Sequence, residues 1–172
     1  YIIIGLLVVL YTMEQFMSRP FKFDKRPQHL LNNIFFQIAF MIANYFFAMF
    51  QVFCIQWLND NQVGLLNMVS LPFWVKLIAG VALFDMTNYW FHRMAHKVPL
   101  LWRLHRVHHS DTSMDSSTFF RSHPIEILVF GTAGILAVTL FGMDMLTFGL
   151  YILVFTVFAF LEHTNLTFPA WL

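Results

Sequence analysis

Long apolar segments separated by short polar loops make up most of the chain. A membrane-spanning helix needs about 20 mostly apolar residues. Five segments reach or approach that length: 1–17, 34–58, 71–91, 125–141 and 145–161. The pattern predicts an all-α integral membrane helical bundle with four to five spanning helices, forming a single membrane domain over residues 1–172.

Polar residues inside these segments follow helical spacing. Gln37, Asn44 and Gln51 are each seven residues apart and therefore share one helix face. This stripe favours hydrogen bonds between helices, with a polar substrate path as the alternative. Glu14, in the first segment, is expected to face protein or water rather than lipid.

The loops between the segments differ in charge and length. Nine of the ten basic residues lie in the loops 18–28 and 92–124, which the positive-inside rule places in the cytoplasm. Five crossings put all eight histidines on that same side, so the stretch 92–124 is predicted to form a cytosolic histidine-rich helical cap. The membrane is expected to be a bacterial inner membrane or the endoplasmic reticulum. The last two segments are joined only by residues 142–144, which predicts a tight hairpin or a pair that dips into the membrane and returns.

Composition narrows the function classes. Hydrophobic residues make up 59% of the chain and charged residues 11%, whereas a soluble domain has about 25% charged residues. The net charge of +1 provides no basic field, which argues against nucleic-acid binding. The single cysteine, Cys54, excludes an internal disulfide framework and a thiolate-rich metal site. The chain starts with Tyr1 rather than Met, so we expect a fragment or a processed protein.

Histidines are concentrated in one short stretch. Five of the eight lie between residues 92 and 109, namely His92, His96, His105, His108 and His109. The four-residue spacing within the pairs His92/His96 and His105/His109 places each pair on one helix face, so two facing helices would present five imidazoles to one volume. Asp85 and Asn88 share the face of His92. His29, between Gln28 and Leu30, is expected to be a polar surface residue.

Imidazole ligands suit iron, zinc, copper and nickel. A structural zinc site needs four ligands, so five or more histidines indicate two metals sharing a site. Zinc has no redox chemistry, whereas iron can activate dioxygen beside a lipid tail. Zinc therefore stays open as the alternative metal.

Several motifs in the second half of the chain resemble the fatty acid hydroxylase / sterol desaturase superfamily of integral membrane di-iron enzymes. The resemblance covers about residues 85–172 and rests on the following motifs: His92-Arg-Met-Ala-His96, Pro99-Leu-Leu-Trp102, His105-Arg-Val-His108-His109-Ser110, Arg121-Ser-His123-Pro124-Ile-Glu126, Glu162-His163-Thr-Asn165 and Phe168-Pro169-Ala-Trp171-Leu172. The first half matches only as hydrophobic segments.

The resemblance implies two irons and dioxygen acting on a lipid C–H bond, by hydroxylation or desaturation of a sterol, fatty acyl or related substrate. Electrons would come from NAD(P)H through a separate small donor protein, and the chain would contact membrane lipids and could belong to a membrane-protein complex. The implied metal ligands are His92, His96, His105, His108, His109 and His163, with His123 as ligand or second-shell residue. Implied second-shell residues are Asp85, Asn88 and Asn165, with Glu126 and Glu162 as weaker candidates. The alternative for Asp85 is an ion pair with Arg93 or Lys97, and for Glu126 a helix N-terminus beginning at Pro124.

The superfamily has a third box, another His-x-x-His-His, shortly after the segment that matches residues 168–172. The sequence stops there, which leaves about three implied ligands missing. We therefore expect a fragment, a site completed by another chain, or a degenerate relative. A non-catalytic membrane subunit with an incomplete or zinc-filled site is the alternative function. A metal-dependent hydrolase is disfavoured because the boxes lack the glutamate of a His-Glu-x-x-His motif.

Overall fold

The computed structural model describes residues 2–16 and 26–167, and all its regular secondary structure over those ranges is helical. The α-helices are α1 (Ile2–Phe16), α2 (Arg26–Asp60), α3 (Phe73–Lys97), α4 (Pro99–His105), α5 (Ile127–Phe141) and α6 (Met145–Glu162). Short 3₁₀ helices occupy His108–Ser110, Ser116–Phe120 and Pro124–Glu126. The all-α prediction is confirmed. The basic loop residues 18–25 and the motif at 168–172 lie outside the described ranges.

Three helical stretches are long and apolar enough to cross a membrane: Arg26–Asp60, Pro124–Phe141 and Met145–Glu162, each with a mean hydropathy of 2.0 over its best window. They correspond to the segments predicted at 34–58, 125–141 and 145–161. The helix α1 is apolar but has 15 residues, and α3 has 25 residues and carries charged side chains. The spans predicted at 1–17 and 71–91 therefore stay predictions.

The helix α5 packs against both α2 and α3, and α3 also packs against α6. Two glycines of α5 allow the close approach of α2. A Cβ on Gly131 would come within 2.3 Å of the Phe47 ring, and one on Gly134 within 2.7 Å of Nε2 of Gln51. Gln51 donates a hydrogen bond to the Gly131 carbonyl at 3.3 Å. Interhelical hydrogen bonding, predicted for the amide stripe, is thus confirmed for Gln51.

The connection between α5 and α6 is a short capped turn. Gly142, with φ of 68°, ends α5 in the left-handed conformation that favours glycine. Asp144 caps α6 by accepting the backbone N–H of Thr147 at 2.8 Å. The backbone N–H of Leu65 bonds the Leu140 carbonyl at 2.9 Å, which ties the loop between α2 and α3 to this turn. The polar loops predicted on the non-histidine side therefore meet at one end of the bundle.

Candidate metal centre

A sharp corner between α3 and α4 brings the two histidine boxes together. Val98 leaves the helical conformation, with φ of −87° and ψ of 118°, as expected for a residue that precedes a proline. Pro99 then starts α4, where its missing N–H costs nothing. As a result the ring of His105 lies 4.7 Å from the rings of both His92 and His96, measured between centroids.

Four histidines form the first group, which we call the four-histidine group: His92, His96, His105 and His109. One ring nitrogen from each lies within 4.8 Å of the others. The Nε2 atoms of His92 and His96 are 3.1 Å apart, and those of His105 and His109 are 3.2 Å apart. The indole of Trp102 stacks on His109 at 5.7 Å and borders the group on its outer side.

The fifth boxed histidine belongs to a second group with His163, which follows the end of α6. The Nε2 atoms of His108 and His163 are 3.0 Å apart. The two groups adjoin, because the rings of His105 and His108 stack with centroids 5.6 Å apart. Of the five boxed histidines, four bring a ring nitrogen within 4.8 Å of one another, and the ring of the fifth, His108, lies 5.0 Å from that of His109, measured between centroids. A shared metal site for all five stays a prediction.

Contacts on the outer nitrogens fix the orientation of three rings. Nδ1 of His105 bonds Oε1 of Glu126 at 2.5 Å, and both side chains are almost fully buried. Nδ1 of His108 bonds the Arg121 carbonyl at 3.2 Å, and Nδ1 of His163 bonds the Ala159 carbonyl at 2.5 Å. A carbonyl oxygen only accepts hydrogen bonds, so Nδ1 of His108 and of His163 carries the proton and Nε2 presents its lone pair. The carboxylate oxygen of Glu126 favours the same tautomer in His105. This is the arrangement in which histidine ligates a metal through one nitrogen and is oriented through the other.

Electrostatics in the site favour neutral imidazoles. Burial, reinforced by the imidazoles of His105 and His96, lowers the pKa of His92 to about 4. Burial and the neighbouring His163 lower the pKa of His108 to about 3. Burial first, and then His105, also lowers the pKa of His96 and of His109. Because a histidine must be neutral to bind a metal, these rings are ready as ligands at neutral pH.

The donor set of the four-histidine group could hold a first-row transition metal. His108 and His163 point Nε2 lone pairs at each other across 3.0 Å, and such lone pairs repel unless a cation lies between them. The four-histidine group offers four more imidazole nitrogens beside this pair. Iron, zinc, copper and nickel accept such ligands, and the group contains no thiolate.

Three other predicted site residues, His123, Asp85 and Asn88, do not belong to either histidine group. His123 caps the 3₁₀ helix Pro124–Glu126, with Nδ1 accepting the N–H of Ile125 at 3.2 Å, and lies outside the four-histidine group. Asp85 and Asn88 face a groove along α3, and among the described residues no ion pair joins Asp85 to Arg93 or Lys97. The role of each as ligand or second-shell residue stays a prediction.

Glu126, only a weaker candidate at the level of sequence, bonds a histidine of the site directly. It caps no helix through its side chain, and its carboxylate bonds His105 instead. Asn165 is fully buried two residues after His163, and its backbone N–H donates to Oε1 of Glu14 at 2.9 Å.

The sequence did not predict a buried polar network around Glu14 and Arg26. Glu14 is completely buried, pairs with Arg26 and accepts the backbone N–H of Ser116 at 2.8 Å. Arg26 also pairs with Asp115 at 3.3 Å. Glu14 therefore faces protein, one of the two environments expected for it. The sequence signal was an isolated acid in an apolar helix, which requires a buried partner.

The prediction for His29 is wrong, because its side chain is 14% exposed and belongs to this network rather than to the surface. Nε2 of His29 contacts Oδ1 of Asp111 at 2.8 Å, and Nδ1 lies 3.5 Å from Oδ2 of Asp115. The network therefore joins α1 and the first turn of α2 to the loop that follows the second histidine box.

A groove of about 1200 Å³ runs between α3 and α6 and reaches the four-histidine group. At one end it is lined by His92 and His96 together with the charged residues Arg93, Lys97 and Glu162. Its other end is apolar. The groove gives an elongated apolar molecule a place beside the histidines.

Comparison with known proteins identifies the family of the chain. The model of the fatty acid hydroxylase family matches residues 77–172, which is more than half of the chain. Methylsterol monooxygenase 1-3 of Arabidopsis thaliana is 25% identical over 87% of this chain and 53% of its own length. A cholesterol 25-hydroxylase-like protein of Caenorhabditis elegans is 27% identical over 66% of this chain and 38% of its own length.

The human alkylglycerol monooxygenase is 41% identical over 31% of this chain and 12% of its own length. The chain thus spans about half or less of the length of these relatives. No solved structure matches. The matched region contains both histidine boxes and His163, so the predicted resemblance is confirmed, and the chain belongs to the fatty acid hydroxylase family.

Proposed function

We propose that the chain forms the membrane-embedded, metal-binding part of a lipid oxygenase that hydroxylates or desaturates a C–H bond. The observation that carries the proposal is the pair of adjoining histidine groups, which offers six imidazoles beside a groove open to apolar molecules. The names of the relatives point in the same direction, since they include monooxygenases of methylsterols and alkylglycerols. The substrate class is therefore a sterol, a fatty acyl chain or a related lipid.

In this proposal His92, His96, His105 and His109 hold one iron, and His108 and His163 contribute to holding a second. Bound iron supplies the capacity to activate dioxygen with electrons from NAD(P)H, delivered by a separate small donor protein. Glu126 keeps the outer proton of His105 in place, so that Nε2 stays directed inward. The apolar wall of the groove holds the lipid against the histidines and excludes water from the reacting carbon.

The proposal places the protein in a bacterial inner membrane or the endoplasmic reticulum, with the histidine end in the cytoplasm. Charge patterning supports this orientation, because the described basic residues other than Lys76 lie at the histidine end. The three apolar stretches and the lipid-modifying relatives support integral membrane insertion. A third histidine box, carried by a continuation of the chain or by a partner, would add ligands to the second group.

Metal loading tests the proposal. The purified protein, loaded anaerobically with Fe(II), is expected to retain iron after desalting and to consume dioxygen when a sterol or alkylglycerol lipid and a reductant are added. Protein loaded with Zn(II) is the matched control and should consume none, because zinc has no redox chemistry. Failure to retain iron would overturn the proposal.

A second candidate is a non-catalytic membrane subunit with a zinc-filled site. It is favoured by the second group, which contains only two histidines among the described residues. Retention of Zn(II) in strong preference to Fe(II), with no lipid oxidation by either form, would support this candidate over the oxygenase.

A further inference from the structure

We propose that Tyr151, Asp85 and Asn88 form a polar subsite in the groove between α3 and α6 that binds the hydroxyl group of a neutral lipid alcohol. The inference rests on the proposed function, because it assumes that the groove holds the lipid to be oxidised. It adds a chemical class of substrate and a fixed orientation within the groove.

The Tyr151 side chain provides the first observation. The residue is 3% exposed, and its hydroxyl is buried with no hydrogen-bond partner among the described residues. The rings of Phe84 and Phe155 lie on either side, at 4.3 Å and 5.8 Å between centroids. A buried hydroxyl without a partner is rare in proteins, and a ligand that supplies the missing hydrogen bond is one explanation.

Two further polar groups approach this hydroxyl from α3. The amide of Asn88 lies beside it, although the two do not meet hydrogen-bonding geometry, and the carboxylate of Asp85 is close enough to act on it electrostatically. All three residues line the same groove. A polar trio that served only to join α3 and α6 would bond internally, so the unsatisfied Tyr151 hydroxyl favours a ligand role.

The charge of the trio selects the ligand. The oxygens of Asp85 can accept a hydrogen bond from an alcohol, whereas a carboxylate here would repel a phosphate or a fatty acid anion, because like charges at short range disfavour binding. Asn88 can donate to the same alcohol oxygen or accept from its hydroxyl. The basic residues Arg93 and Lys97 lie nearer the histidine end of the groove, more than one helical turn beyond Asn88. The subsite therefore fits a neutral alcohol.

The position of the subsite fixes which carbon reacts. Asp85 and Asn88 precede His92 by seven and four residues, which is about 10 Å and about 6 Å along a helix. A lipid held by its hydroxyl at this level presents a carbon several bonds away to the four-histidine group. Leu77 and Leu150, at the opposite end of the groove, would cover the rest of the apolar body.

The test measures lipid binding to metal-free protein in phosphatidylcholine nanodiscs. The probes are cholesterol and hexadecan-1-ol as a rigid and a linear alcohol, cholest-5-ene and hexadecane as their hydrocarbon counterparts, and hexadecanoate as an anion. Wild-type protein is expected to bind one or both alcohols more tightly than its hydrocarbon counterpart. Tyr151→Phe should weaken alcohol binding about 3- to 10-fold, the effect of losing one hydrogen bond, and leave hydrocarbon binding unchanged.

Controls separate binding from folding. Tyr151→Phe removes a hydroxyl that has no protein partner, so its unfolding temperature should not fall below that of the wild type. Tyr45→Phe, which removes the hydroxyl of an exposed tyrosine on α2, should not change binding of any probe. Asp85→Asn, as a second variant, should weaken alcohol binding and relieve the exclusion of hexadecanoate.

The subsite is overturned if Tyr151→Phe binds both alcohols as tightly as the wild type, or if hexadecanoate binds the wild type better than either alcohol does. A difference between the cholesterol and hexadecan-1-ol arms identifies the shape of the lipid. Because these measurements need no metal, lost alcohol selectivity with intact iron retention would refute the subsite alone. Retained selectivity without iron retention would refute the proposed function and leave a lipid-alcohol site.

Discussion

In the proposed metal site, we expect Glu126 to set the metal affinity of the four-histidine group through its contact with His105. Its Oε1 accepts the Nδ1–H of His105 at 2.5 Å, and each residue is 3% exposed. A hydrogen bond to a charged group contributes about 1.5–3 kcal/mol. Loss of a carboxylate that orients a histidine ligand commonly costs about 10–100-fold in metal affinity, which is about 1.4–2.8 kcal/mol. The two magnitudes agree, so we expect most of the free energy of this hydrogen bond to contribute to metal affinity.

The substitutions Glu126→Gln and Glu126→Ala separate charge from orientation. Gln keeps an acceptor oxygen and the size of the side chain, so we expect about a 10-fold weaker Fe(II) affinity. Ala removes the acceptor and leaves the ring free to rotate, so we expect a loss nearer to 100-fold. The assay is Fe(II) titration of purified protein against a chelator of known affinity, under anaerobic conditions.

Asp60→Asn is the control, because Asp60 is an exposed carboxylate at the end of α2 and bonds no histidine among the described residues. It should bind Fe(II) as the wild type does. If Glu126→Ala binds Fe(II) with wild-type affinity, the contact to His105 has no role in ligation and the orienting role of Glu126 is refuted.

Three further predictions concern the second group and the buried network. His108→Ala should reduce the iron retained and abolish turnover while leaving the helical circular dichroism unchanged; an unaltered iron content would contradict its role as a ligand. Glu14→Ala removes one of the two carboxylates paired with the buried Arg26 and the acceptor for the backbone N–H groups of Ser116 and Asn165, so the free energy of unfolding should fall by about 3–5 kcal/mol in chemical denaturation. Ala at the adjacent exposed position of Gln15 should have little effect, and an equal loss there would contradict the role of the network. Burial raises the pKa of Asp115, but hydrogen bonds from His29 and Ser117 outweigh it and hold the pKa below the ordinary value of 3.8. The stabilisation is therefore present above that value and is lost as the pH falls through the folded-state pKa. We expect the unfolding temperature of Asp115→Asn to fall less steeply at acid pH than that of the wild type. An equally steep fall in the variant would contradict this role of Asp115.

Local spacing predicted the parts of the site that lie within one helical turn. His92 and His96 share a face of α3 because four residues make about one turn. The pair His105/His109 also converges, although His109 lies in a 3₁₀ helix rather than in a continuation of α4. Here the turn at Arg106 and Val107 keeps the chain compact enough for the two Nε2 atoms to meet at 3.2 Å.

Helical spacing cannot predict contacts between segments that are distant in the sequence. His108 pairs with His163 across 55 residues, because α6 ends beside the loop that carries the second box. His29 reaches Asp111 across 82 residues, and nothing in its local sequence distinguishes it from a surface histidine. The apolar pattern predicted that Glu14 avoids lipid but did not identify Arg26, since a partner is set by how helices pack rather than by periodicity. The groove depends on the distance between α3 and α6 and is equally invisible in the sequence.

The corner at Val98 and Pro99 has a consequence for how this family can vary. Each residue added to a helix turns everything beyond it by about 100° and advances it by about 1.5 Å. A single insertion within α4 would therefore swing His105 to the side of the helix and carry it away from His92. The number of residues between the two boxes therefore sets the direction in which His105 points relative to His92. We expect insertions to accumulate in the loop at 61–70, at the opposite end of the bundle, while the interval from His96 to His105 keeps its length even where the residues within it change.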